Sequence, residues 1–152
     1  MIDHLIHLFE YDNWANVQII NALSDKDSNR SRQILAHILI TKREYFERLY
    51  GKDSSGFDFW PDLSIEECRQ LAGSTHDRYR RLLSGADERT LQAAASYRTS
   101  EGVPHTNTYL DMLTHILFHS SIHRGNIILK MREEGLEPPK IDYILYLRDQ
   151  RT

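Results

Sequence analysis

Residues 109–131 read YLDMLTHILFHSSIHRGNIILKM, and at about 100° per residue His115, His119, His123 and Asn126 fall on one line of a helix. Met112, Ile116, Ile122, Ile127 and Leu129 flank that line, so the histidines lie within an apolar arc and are expected to turn toward the core. A lone inward histidine is ordinarily a packed residue hydrogen-bonded to a neighbour. A file of three is harder to bury, because each unpartnered imidazole costs about 1–3 kcal/mol, and a metal ion offers their ring nitrogens a common partner. His119 and His123 stand one turn apart, about 6 Å on a helix face, so both rings can reach one divalent ion at about 2.0–2.1 Å. A third ligand has to come from elsewhere in the chain, and His37 stands alone in another predicted helix.

Working outward, four long stretches carry the helical period: 2–23, 31–50, 64–83 and 107–134, with a short fifth at 142–149. They predict an all-α bundle. Ser64 followed by Glu66 and Glu67 reads as an N-cap with an acidic first turn, and Gly135 followed by Pro138 and Pro139 ends the histidine helix. Residues 51–63 form a Gly/Ser/Asp-containing loop with Phe57, Phe59 and Trp60, while 90–106 lacks helical period and has the composition of a small hairpin before the fourth long helix. No internal repeat or low-complexity tract is present.

The chain of 152 residues suits one domain, residues 1–152, with a core that needs no covalent staples. Its 40% apolar and 27% charged residues, with no apolar run of the ~18–20 residues a membrane helix needs, predict a soluble protein without a membrane partner. Met1-Ile2-Asp3-His4-Leu5 lacks the basic region and apolar core of a secretory signal, so cytoplasmic residence is expected. Cys68 is the single cysteine and sits in an amphipathic stretch, which marks it as a packed or partly exposed thiol and not a nucleophile. A net charge of −3 argues against nucleic acid as a partner, and Arg78, Arg80 and Arg81 read as a solvated helix face.

The first helix breaks its own pattern. Ile2, Leu5, Phe9, Ile20 and Leu23 form its apolar stripe, yet Asn13 and Asn16 interrupt the middle of it. These amides either bridge neighbouring helices through hydrogen bonds or line a pocket. In the second helix Ile34, Ile38, Tyr45 and Leu49 define the core, and His37, Thr41, Glu44 and Arg48 run beside them as a polar column that could face the same cavity.

Tyr11-Asp12-Asn13-Trp14-Ala15-Asn16, Leu35-Ala36-His37-Ile38-Leu39 and His119-Ser120-Ser121-Ile122-His123-Arg124-Gly125-Asn126-Ile127 resemble the DinB-like family. The resemblance runs on through Met131-Arg132, Gly135, Pro138-Pro139, Asp142 and Tyr146 and so spans most of the chain. It implies a four-helix bundle with a long crossover, commonly homodimeric, that holds a divalent metal through one histidine of the second helix and two of the fourth. Those are His37, His119 and His123 here. His115 matches a histidine often found one turn earlier and reads as pocket wall. Asn126 stands where the family more often has glutamine, which keeps the amide chemistry and shortens its reach.

Three neutral nitrogens leave a first-row ion at least one open position, as in catalytic zinc sites. Zinc or nickel is the expected ion, with iron, copper and manganese as further candidates. Family members similar to this chain include S-transferases that use low-molecular-weight thiols such as bacillithiol or mycothiol, and a mycothiol-dependent maleylpyruvate isomerase. The resemblance therefore implies a metal-dependent transferase acting on a small-molecule substrate. In that reading Asn13, Asn16 and Glu44 orient the reactants and Arg48 meets an anionic group. Two alternatives remain at this point: a metal-dependent hydrolase using bound water, and a non-enzymatic metal-binding stress-response protein. Tyr11 and Trp14 read as exposed aromatics suited to a dimer interface away from the metal.

Overall fold

The computed structural model describes residues 1–150, and in it the chain is all-α apart from one small hairpin. In chain order the elements are α1 (Ile2–Leu23), α2 (Asn29–Leu49), α3 (Ile65–Ser84), α4 (Glu88–Gln92), β1 (Ala94–Arg98), β2 (Pro104–Thr108), α5 (Tyr109–Glu133) and α6 (Tyr143–Asp149). The four long helices form the bundle, with α5 packed chiefly on α2 and α1 chiefly on α3. The hairpin expected within 90–106 is present as antiparallel β1 and β2, displaced a few residues toward the C-terminus, and it is preceded by the short helix α4, which periodicity did not reveal.

Local chemistry explains the ends of these helices. Ser64 Oγ accepts from the Glu67 amide while the Glu67 carboxylate accepts from the Ser64 amide, a reciprocal cap on α3. Thr108 and Asp111 do the same for α5, so the histidine helix begins at Tyr109 and not at 107. At its far end Gly135 takes φ of 73°, letting the Gly135 and Leu136 amides bond back to the Arg132 and Met131 carbonyls at 3.0 and 2.8 Å. The second helix begins at Asn29, two residues before its predicted start, and the Ser28 carbonyl accepts from the Arg32 amide at 3.0 Å. The Ser28 hydroxyl is committed to the Glu134 carboxylate instead of to the helix.

The core is divided. One apolar cluster gathers Ile19, Ile20, Leu23, Ile34, Leu35, Ile38, Leu39, Cys68, Ala72, Ile127 and Met131, and the other gathers Leu5, Phe9, Phe46, Leu49, Tyr79, Leu83, Met112, Leu113 and Ile116. Between them every long helix places buried polar residues: Asp12 and Asn16 on α1, Thr41, Lys42 and Glu44 on α2, Thr75 and His76 on α3, Ser120 and Arg124 on α5. A polar belt therefore crosses the waist of the bundle.

Two sequence expectations change. Ile122 and Leu129 are exposed, at 66% and 57% of their accessible surface. They lie on the flank of the histidine line away from α2, whereas Ile116 and Ile127 lie on the flank the bundle covers. The histidine file thus runs along the border of the buried face and not down its centre. Tyr11 and Trp14 are half-buried rather than open, because α6 folds over them. Tyr11 packs on Tyr143 at 5.0 Å and donates its hydroxyl to the Ile141 carbonyl at 2.7 Å, and Trp14 packs on Tyr146 at 5.3 Å. No helix among the described residues is long and apolar enough to cross a membrane.

Candidate metal centre

The packing of α2 on α5 carries His37 to the pair His119 and His123. One ring nitrogen from each lies within 4.8 Å of the others, and no fourth histidine, cysteine or carboxylate among the described residues joins this group. His37 Nε2 and His119 Nε2 approach to 3.1 Å. Two nitrogens each about 2.0–2.1 Å from one ion, at angles between a right angle and a tetrahedral one, lie about 2.8–3.4 Å apart. The observed separation falls in that window.

The tautomer of His37 is set from outside the triad. Its Nδ1 lies 2.7 Å from the Phe59 carbonyl, which can only accept, so the proton of the neutral ring sits on Nδ1 and the Nε2 lone pair faces His119. A carbonyl in that position is the usual way a protein orients a ligating imidazole. His119 Nδ1 is buried with no hydrogen-bond partner. The Asn126 side-chain amide lies 3.5 Å from His123 Nδ1, at the limit of a hydrogen bond.

Protonation agrees with the geometry. Burial pushes the His119 pKa down to about 3, assisted by the neighbouring His123, His37 and His115. Burial also lowers His37, against the opposing pull of the Phe59 carbonyl, and lowers His123. Near neutral pH all three rings are neutral, the form in which imidazole binds a metal. The residues present fit a divalent ion by donor type, convergence and charge state.

The loop 51–63 builds one wall. Trp60 stacks on His37 with centroids 3.9 Å apart and ring planes 2° from parallel, and Arg30 lies over its indole at 5.2 Å. Beside the triad an open cavity of about 290 Å³ is lined by His37, Thr41, Tyr45, Arg48, Phe59, His115 and His119, with Thr99, Ser100 and Glu101 contributed by the hairpin turn. His115 is exposed and packs on Tyr45 at 4.8 Å, a wall residue.

Other members of the predicted set go elsewhere. Glu44 is fully buried, accepts from Lys52 Nζ at 2.8 Å and Ser54 Oγ at 2.9 Å, and does not line the cavity. It ties the 51–63 loop to α2. Asn13 is half-buried on α1 and does not line the cavity either. Asn16 joins a second polar cluster, in which its Oδ1 accepts from Arg124 Nη1 at 3.0 Å and its amide faces Asp12 at 3.5 Å. Lys42 Nζ donates to Asp12 Oδ2 at 2.7 Å and Arg124 binds the other carboxylate oxygen. Burial alone would raise the Asp12 pKa, but the Lys42 and Arg124 charges outweigh it and hold the carboxyl below its usual value. Of the two readings of these amides, Asn16 takes the structural one.

The model of the DinB family matches residues 1–152. This chain belongs to the DinB family. It is 28% identical over 171 aligned positions to Protein DinB of Bacillus subtilis (strain 168), an alignment covering 100% of this chain and 98% of that protein. Membership of the DinB family and the histidine triad together fit a metal-binding protein. Sequence reasoning passed over Phe59 and Trp60 as site residues. Their signal was three aromatics in a loop otherwise rich in glycine, serine and aspartate, where no core is available to bury them.

Proposed function

We propose that this DinB-family protein holds one divalent ion, zinc or nickel, through His37, His119 and His123, and transfers a low-molecular-weight thiol to an electrophilic small molecule. The observation that carries the reading is a convergent set of three neutral imidazoles beside an open cavity, with no fourth histidine, cysteine or carboxylate joining them among the described residues. A bound ion supplies Lewis acidity, which lowers the pKa of a coordinated thiol.

The protein's own contribution is to keep three nitrogens deprotonated and aimed at one point. Phe59 and Trp60 hold His37, and the cavity walls exclude part of the solvent around the reacting sulfur. The sulfur has to arrive with a small molecule, because Cys68 lies in the apolar core with its thiol pushed up to about 11 by burial. In the transfer, sulfur bonds to the electrophilic carbon, the displaced group leaves with its electron pair, and the thiol proton passes to water in the open cavity. Away from the histidine file, the exposed Phe118 lines a cavity of about 310 Å³ together with Leu5, Leu8, Leu117 and Tyr143. A second copy of the chain covering this apolar surface is the oligomer proposed, to be read by sedimentation.

Purified protein is expected to carry close to one ion per chain by elemental analysis, and His119→Ala or His123→Ala to lose most of it. Cobalt-loaded protein should gain a sulfur-to-cobalt charge-transfer band with at least one cellular thiol, and His37→Ala should not. Full metal retention in both α5 variants would overturn the ligand assignment. A cobalt spectrum moved by carboxylates but by no thiol would replace transfer with hydrolysis, and a spectrum moved by nothing would mean a non-enzymatic metal protein.

A further inference from the structure

Arg48 is a buried charge without a carboxylate partner among the described residues, its side chain being 96% buried and 4% exposed. The nearest candidate by position, Glu44, is already occupied by Lys52 and Ser54. Of the guanidinium's five N–H groups, Nε donates to Ser54 Oγ at 2.9 Å. The guanidinium carbon is held among three rings, 4.7 Å from Tyr45, 5.0 Å from Tyr97 and 5.3 Å from Phe59. The rings hold it in place without neutralising it.

A buried cation without a counter-ion is costly, and removing water from it repays only if an anion arrives with good geometry. Arg48 lines the same cavity as His37 and His119. Phe59 connects the two ends, its carbonyl holding His37 Nδ1 and its ring lying against Arg48. Glu101 also lines this cavity, but it is exposed and makes no ion pair with Arg48.

We infer that Arg48 is an anchor for a carboxylate on the ligand whose other end sits at the histidine triad. A planar guanidinium matches a carboxylate through two parallel N–H···O bonds, and the pre-packed fork loses little freedom on binding. Glu44, through Ser54, is a positioning residue: it holds the hydroxyl that takes Nε, while the Tyr45 hydroxyl also meets the guanidinium beside the cavity. The inference rests on the thiol reading only for what lies at the triad end. Combined with it, the substrate class becomes a thiol carrying a carboxylate at a fixed distance from sulfur.

The test titrates cobalt-loaded protein with two series of increasing length, ω-mercaptocarboxylates and the matching ω-mercaptoalcohols, following the sulfur-to-cobalt band. The acid of optimal length should half-saturate at a concentration about tenfold or more below its alcohol. Arg48→Gln should bring the two within about twofold while leaving the alcohol's own titration in place. Glu101→Gln should keep or increase the preference, whereas loss of the preference in that variant would overturn the inference. Acid and alcohol equivalent at every length would also overturn it. Metal-free protein supplies an independent readout: the alkanoate of best length should raise the melting temperature and the matching alkanol should not, and Arg48→Gln should abolish the rise. If no thiol yields the band, the thiol reading fails and the metal-free melting comparison alone decides the carboxylate anchor.

Discussion

Two polar clusters lie near the waist of the same bundle, and they are built on opposite principles. Around Asp12 every strong group has an answer: one carboxylate, two cations and an amide satisfy one another at nearly zero exposure. Around His119 there are only donors of electron pairs, pushed toward the neutral state and left with a buried ring nitrogen unpaired. The first cluster is complete without any visitor, and what it does is join α1, α2 and α5. The second is incomplete as it stands, which is the physical signature of a site that expects a ligand. Arg48 belongs to the second kind.

The largest effect should come from breaking the completed cluster. Asp12→Ala leaves Lys42 and Arg124 buried with no anion, at a cost of about 3–5 kcal/mol, whereas His119→Ala in metal-free protein should cost about 1 kcal/mol or less. Denaturant melts of both variants measure this. Similar losses would erase the distinction between a structural and an awaiting cluster.

The next effect comes from filling the incomplete one. Divalent metal at about a hundred times its dissociation constant should add about 2.7 kcal/mol to stability. The gain should vanish in His119→Ala. A gain that persisted there would place the bound metal at other residues.

A third measurement separates the clusters by pH. In metal-free protein His119 titrates near 3 in the folded state and near 6.5 when unfolded. Between those values the unfolded chain binds a proton that the folded chain refuses, so stability is full above about 6.5 and falls as pH drops toward 3. Asp12 behaves in a lower window: its depressed pKa contributes stability above the unfolded value of 3.8, lost as pH falls through the folded value. Chemical melts from pH 7 to 3 should therefore show an upper loss that His119→Ala flattens and a lower one that it leaves alone. A profile unchanged by His119→Ala would mean that this ring is solvated in the folded state.

Helix periodicity, capping residues and the one-turn spacing of His119 and His123 are local properties, legible because 3.6 residues per turn is the same in every helix. They determined the all-α class, five of the six helices to within about two residues of their ends, and the family resemblance that singled out His37. The small hairpin was legible as a loss of period. What the chain alone left undecided were partnerships across helices. Asn16 and Asn126 look alike in sequence, yet one is locked to Arg124 and the other is an exposed neighbour of His123. Glu44 and Arg48 share one helix column, but only packing revealed that Lys52 and Ser54 take the carboxylate and leave the guanidinium without an anion. Trp60 reaches His37 from a loop whose path no periodicity describes. Such pairings depend on the rotation and register of one helix against another, which are set by the close packing of the whole interior and are not encoded in any single stretch.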